Sequence, residues 1–525
     1  MLLGRMTKTA LLGGVASALI GGAATAENTV EWGAARDIVS MDPYSYGDSY
    51  TINVLNHIYE GLVRYNEDLE LESALATSWE VTSPTVWRFK LREGVTFHNG
   101  NPFNADDVIA SLDRVTAETS PLKGNLPAYK SATKVDDYTV DIEMNGTYPL
   151  LLNDLTNILI FDKEWLIEHN TEKPTDVGGG VEGYATFNAN GTGPFVLESR
   201  TPEAQTIMSA NENWWDEPEH NVDRIEFRPI TSSATRVAAM LSGEINFIES
   251  APVQDLNRLE AAQNVEVLER TDLRTVMLGL NRRETLVDGD ENPMNNLKVR
   301  QAMQMAIDQD LIQEKVMRGK SRSAGALVAP SIPGYTEDLD ALVDVDVDRA
   351  KELLAEAGYP DGFDFLFVCT NESYVNEEQL CQAIASMWSR IGLEPKLDIG
   401  PTAKQTPKRA NAGADVYTIG WATLPMLDAY SILVQMLHTK EDNAGVFNWG
   451  GWSYPELDKL TQAAAGEMDR EKRLGLETEA LKIAKDEIIM IPLHQQPMAW
   501  AVSDEFEQFP QFPDGKPRLW HVEMK

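Results

Sequence analysis

Apolar positions along the chain follow two periods, and the switching between them outlines the elements. Period-two alternation over Val86 to Leu91 and over Thr139 to Met144 predicts half-buried strands. Spacings of three and four put Ile52, Leu55 and Tyr59 on one helical face, and likewise Val108, Leu112 and Val115. Asn104 stands where the second of these helices needs an N-cap. Val30 to Ala34 reads as an opening strand, followed by the loop Met41-Asp42-Pro43-Tyr44. Ser233 to Leu241 predicts a helix stopped by Gly243, with a strand from Ile245 to Ile248. Further helices are expected over 297–307, 347–357, 457–465 and 470–485, and a late strand over 488–493. Asp176 to Asn190, rich in Gly and Asn, reads as a long surface loop. No internal repeat and no Pro/Ser-rich linker divides the pattern, so the domains are expected to interleave.

The first residues depart from this pattern. Arg5 and Lys8 precede an apolar stretch from Ala10 to Ile20, and small residues end in Ala24-Thr25-Ala26. That is the layout of a secretory signal peptide cleaved after Ala26. The stretch is too short and too rich in Gly and Ala for a membrane span. No Cys stands near the cleavage site to carry a lipid, so a soluble periplasmic protein is expected. The roughly 500 residues that remain exceed what one core fills, which predicts two to four domains. The net charge of -37 argues against nucleic acid or anionic lipid as a partner. It gives weak support for a cationic solute. Cys369 and Cys381 are the only cysteines. In an exported chain they read as a candidate disulfide worth roughly 3 kcal/mol, with two buried thiols as the alternative.

Catalytic motifs fail on inspection. Ser131-Ala132-Thr133-Lys134 spells S-x-x-K, but it precedes a strand, and neither K-T-G nor S-D-N occurs. Asp344, Asp346 and Asp348 alternate like a calcium loop, yet Arg349 stands where Gly is required. They read instead as a carboxylate entry to a helix. Gly178-Gly179-Gly180 lacks the Lys of a phosphate loop. His98 has no second His or Cys at ligand spacing, which predicts a hydrogen-bonded turn histidine. No catalytic residue, metal site or cofactor is therefore expected. Paired carboxylates of an exported hydrolase, which cannot be located among 82 acids, are the rival from another class.

Six segments, in order, carry a resemblance. They are Phe89 to Val108 with its His98 turn, Gly191-Thr192-Gly193-Pro194-Phe195, and Asn213-Trp214-Trp215. Arg236 to Ile248, Val299 to Asp308 and Ala350 to Tyr359 complete the set. Together they resemble family 5 of the bacterial extracellular solute-binding proteins, the receptors for peptides, oligopeptides and nickel. The resemblance implies an α/β fold of type II, with mixed sheets flanked by helices and a ligand cleft between two lobes. Lobe I would combine 27–72, 190–282 and 492–525, with 73–189 appended to it. Lobe II would span 283–491, with hinge crossings near Leu280-Asn281 and Ile491-Pro492. The implied function is capture of a small solute for the permease subunits of an ABC importer in the inner membrane, by a monomer. A signalling role through a membrane sensor would use the same pocket.

Peptide receptors of this family place an Asp three residues after a cleft Trp, where it pairs with the α-ammonium. Here Trp421 is followed by Leu424 at that position. Either Asp428 takes the role, or the ligand lacks a free ammonium. Met426, Trp449, Trp452 and Tyr454 add apolar and aromatic surface. Tyr44 and Tyr46 lie in a loop that faces the cleft in the family. Arg409 or Arg322 could meet a ligand carboxylate. The expected ligand is a short peptide or a peptide-like or opine-like compound, with an oligosaccharide as the alternative and chelated nickel least favoured given seven scattered His.

Overall fold

The computed structural model describes residues 27–525 apart from Pro218, Asp442 and Asn443. The expected leader lies outside the described residues. The main sheet has eleven strands. Across it run Glu394–Gly400, Asp364–Thr370, Val416–Trp421, Val265–Leu280 and Met490–Ser503. Phe247–Ile248, Thr29–Ala34, Arg224–Pro229, Gln205–Ala210 and Phe195–Thr201 continue it, and Arg322–Ser323 pairs with Met490–Ser503.

Two long antiparallel strands, Val265–Leu280 and Met490–Ser503, carry the sheet from one half of the molecule to the other. Val265 to Thr271 pair with Ser503 to Pro497, and Thr275 to Gly279 pair with Gln495 to Met490. The register breaks between Thr271 and Thr275. Side chains change allegiance at the same place. Leu268 packs on the cluster of Trp32, Phe227 and Trp500. Leu273 and Met277 join Tyr417 and Leu433, and Val276 joins Phe367 and Trp388. The change of core thus falls before Leu280-Asn281 on the first strand and after Ile491-Pro492 on the second.

A separate antiparallel sheet orders Ala76–Ser83, Val86–Leu91, Thr139–Met144 and Tyr129–Asp136. The helix Ala105–Val115 packs on it. Its core residues Phe89, Leu112 and Ile142 are continuous with Trp32 and Phe227 of lobe I. The appended sheet and lobe I therefore share one hydrophobic interior.

Local signals place the elements. Asn104 caps Ala105–Val115, and Asp107 returns the bond to the Asn104 backbone. Asp346 accepts from Arg349 N at the start of Val347–Glu356. Gly243 ends Ser233–Ser242 at φ 74°. Ser131 to Lys134 lie on a strand, so no serine-lysine helix geometry exists there. Cys369 and Cys381 are bonded, tying Asp364–Thr370 to the helix Glu377–Ser389.

The motif residues hold lobe I together. A Cβ on Gly193 would stand 2.7 Å from the Ile58 carbonyl oxygen, so this turn needs glycine for close approach. His98 donates from Nε2 to Gly193 O at 3.0 Å and accepts from Gly191 N at Nδ1. Burial lowers its pKa to about 4, so the ring stays neutral. Trp215 and Trp214 donate their indole N–H groups to Glu60 at 2.7 and 3.2 Å, and Thr192 adds a third bond.

Candidate ligand-binding cleft

A cavity of about 360 Å³ lies between the lobes. On the lobe I side, the helix Ser49–Leu55 presents Ile52 and Asn53, with its N-cap Asp48 beside them. The appended domain adds Leu122, Asn125 and Asn157, and the C-terminal segment adds Lys516. Opposite stand Arg274, at the break between the long strands, and the segment from Gly420 to Pro425 with Phe447.

The segment after Trp421 leaves its strand through a tight turn. Thr423 and Leu427 adopt left-handed φ of 56° and 47°, and Leu427 N donates to Thr423 O at 2.9 Å. Such conformations cost on the order of 1 kcal/mol each in non-glycine residues. Contact with lobe I holds the turn in place. Tyr65 Oη donates toward Pro425 O and Met426 O at 3.2 and 3.1 Å, and Asn153 Nδ2 reaches Met426 O at 2.7 Å. These bonds close one side of the cleft across the lobe boundary.

The cavity brings together some of the residues singled out from sequence and not others. Trp421 and Leu424 line it, with the indole N–H of Trp421 fixed by Ser431 Oγ at 3.1 Å. Asp428 does not line it. Its carboxylate is 2% exposed, accepts from Tyr430 N, and faces Arg473 at 3.5 Å. Glu477 lies behind the same arginine, and burial together with Asp428 pushes its carboxyl well up.

Arg409 is 4% exposed, bonds Thr418 O and Thr406, and sits over the Trp449 ring. Trp449 and Trp452 belong to the lobe II core. Tyr44 is fully buried with its hydroxyl on Leu159 O, beside the buried pair Arg114–Asp42. Tyr46 is half-buried against Gly178, outside the lining. Arg322 is paired with Asp340. Asp428, Arg409, Trp449, Tyr44 and Tyr46 do not line this cavity. Each has the right residue type, but core packing or an internal partner already occupies it. Sequence reasoning missed Arg274, Lys516, Phe447 and the three asparagines, which sit in no motif and meet only through folding.

A second cavity, of about 390 Å³, lies within lobe I. Glu60, Arg64, Asp216, Asp514, Arg518 and His521 line it, and Lys516 borders both cavities. Its charges are mostly paired: Arg64 with Glu72 and Asp216, Arg518 with Asp514, His521 with Glu219. Among the described residues, no group of three or more His, Cys, Asp or Glu is placed to hold a metal.

Two lobes joined by a pair of long strands, with a cavity lined from both sides, define a solute-binding receptor. Residues 70–444 match the model of the bacterial extracellular solute-binding proteins, family 5 middle region, and the chain belongs to that family. Heme-binding protein A of Haemophilus influenzae is 27% identical over 505 residues, covering 91% of this chain and 88% of the relative. The glutathione-binding protein GsiB of Shigella flexneri is 25% identical over 514 residues, covering 95% of each. The solved structure of HbpA2 from Haemophilus parasuis superposes with a TM-score of 0.79 at 26% identity, over 95% of this chain and all of that one. The relatives are binding proteins, the family is extracellular or periplasmic, and its members serve ABC importers. Among the described residues no helix is long and apolar enough to cross a membrane.

Proposed function

We propose that the mature chain, freed of residues 1–26, works in the periplasm as a monomeric receptor that performs no chemistry on its ligand. It captures a small peptide-like or opine-like solute in the interlobe cavity and passes it to permease subunits in the inner membrane. The observation that carries this reading is the cavity itself. Its walls come from both lobes, at the point where both long strands change core, so closure of the lobes and engagement of the solute are the same motion. We place the hinge at 271–275 and the facing residues 495–497, where the ladder is already interrupted. Trp421, Leu424 and Phe447 supply flat apolar surface, and Asn53, Asn125 and Asn157 supply neutral hydrogen-bonding groups.

Thermal-shift screening tests the reading, because a solute that binds only the folded state must raise Tm. Small-angle scattering of the same samples should show a smaller radius of gyration with ligand. Consumption of a peptide or glycan without any solute raising Tm would sink the receptor reading in favour of a hydrolase.

A further inference from the structure

The cavity carries a charge opposite to that of the protein. Resting on the receptor reading above, we infer that the solute is an acid without a neighbouring free ammonium, its carboxylate held by Arg274 and Lys516.

The first observation concerns the cations. The chain has 82 acidic and 45 basic residues, so carboxylates outnumber the cations they can pair with. Arg114, Arg200 and Arg518, all deep in the fold, are each ion-paired. Lys516 is not: among the described residues its Nζ has no hydrogen-bond or ion-pair partner. The nearby carboxylate of Asp514 is committed to Arg518 at 2.7 Å. Burial pushes the Lys516 ammonium down, a direction that an arriving anion reverses. Arg274 is also under-used. Its Nη1 lies 3.4 Å from Gly420 O, and its Nε is 3.9 Å from Asp272. Asp272 itself accepts from Gln496 at 2.7 Å and from the Arg274 backbone. The guanidinium therefore keeps donors for a bidentate carboxylate.

The second observation concerns the acids. Asp48 is the one carboxylate among the lining residues. It caps the helix Ser49–Leu55 through Tyr50 N and Thr51 N, and pairs with Arg36 at 2.8 Å. Leu424 is apolar, and Asp428 is turned to Arg473 inside lobe II. An ammonium group entering this cavity would lose water and meet two cations, which makes its desolvation uncompensated. A carboxylate meets Lys516, which has no acid of its own, and Arg274, whose one acid lies 3.9 Å away and is bonded to Gln496.

The test uses the mature wild-type protein and matched probes in calorimetry and thermal shift. The probes are N-acetyl dipeptides with a free C-terminal carboxylate, the same dipeptides as C-terminal amides, and dipeptide amides with a free amine. N-acyl amino acids beside their methyl esters, aldonic acids, and phosphate monoesters of matching size complete the panel. Acids are expected to bind at least tenfold tighter than their neutral counterparts. R274A and K516A should each weaken acid binding at least tenfold and pull the acid-to-ester ratio toward one, while K516R retains the preference. The acid reading is overturned if amides, esters or amines bind as tightly as acids, or if both alanine variants bind acids within twofold of wild type. A phosphate monoester that outcompetes every carboxylate would overturn the carboxylate assignment. Neutral or cationic ligands alone would leave the receptor standing and remove the acid; no Tm shift from any probe would count against both readings.

Discussion

The interlobe cavity and the lobe I cavity are nearly equal in size, about 360 and about 390 Å³, and share Lys516, yet their chemistry is opposed. The lobe I cavity is lined by seven carboxylates, Glu60, Glu67, Glu72, Asp216, Glu217, Glu219 and Asp514, most of which hold indole, guanidinium or imidazole partners. Its walls come almost entirely from lobe I, with Tyr65 the one lining residue that bonds across to Pro425 and Met426. The interlobe cavity has one carboxylate, already committed, and two cations without a firm partner. Volume therefore does not distinguish the two. Unspent charge and walls drawn from separate bodies do.

The largest expected effect comes from making the interlobe cavity resemble a peptide receptor. Leu424→Asp should weaken acid binding about a hundredfold, close to 3 kcal/mol, and create measurable affinity for free-amine dipeptide amides. Calorimetry on both probe classes reads the inversion; unchanged ranking would break the contrast between the cavities.

Next, Glu60→Gln should alter stability and leave ligand affinity unchanged. Burial raises the Glu60 carboxyl from 4.5 to about 7. The folded state thus holds the proton more tightly than the unfolded chain. Its contribution is intact below about pH 4.5 and is lost as pH rises through about 7. The variant should gain on wild type between pH 4.5 and pH 8 by on the order of 3 kcal/mol, read in paired urea titrations. A gain in the opposite direction would contradict the buried position of this acid.

Smaller again is the lobe contact. Tyr65→Phe with Asn153→Ala removes the bonds to Pro425 O and Met426 O. Each bond contributes about 1 kcal/mol net, so ligand should dissociate several-fold faster. Stopped-flow displacement measures this, and an unaltered off-rate would show that the contact does not belong to the liganded state. The smallest effect is kinetic. A net charge of -37 repels an acid at long range, and salt screens that repulsion before it screens a close ion pair. The association rate for acids should therefore rise a few-fold from 10 to about 150 mM salt, whereas neutral probes show no change.

Much of the scaffold was legible in the chain. Asn104, Asp346 and Gly243 act within one helical turn of where they stand, so their capping roles follow from local geometry. His98, Gly193 and the Trp214-Trp215 pair were legible as motif, and the fold shows them bonding one another's turns and Glu60. Of the residues singled out for the cleft, Trp421 and Leu424 line the interlobe cavity. Asp428 and Arg409 satisfied every rule of type and position, but a buried charge takes the first good partner, and each had one inside lobe II. Lys516 and Arg274 could not be seen in advance, because lacking a partner is a property of the folded surroundings.

By itself the sequence determined the helix caps at Asn104, Asp346 and Gly243, the family and the two-lobed plan, whereas the helix expected to reach Tyr59 ends at Leu55. Local spacing and capping act over a few residues, and six ordered motifs are hard to assemble otherwise. Only the tertiary structure decided which charges were already paired and which still faced the cleft. Pairs such as Arg114–Asp42 and Arg473–Asp428 join residues tens of positions apart, and Coulomb energy depends on distance in space and on burial, never on distance along the chain.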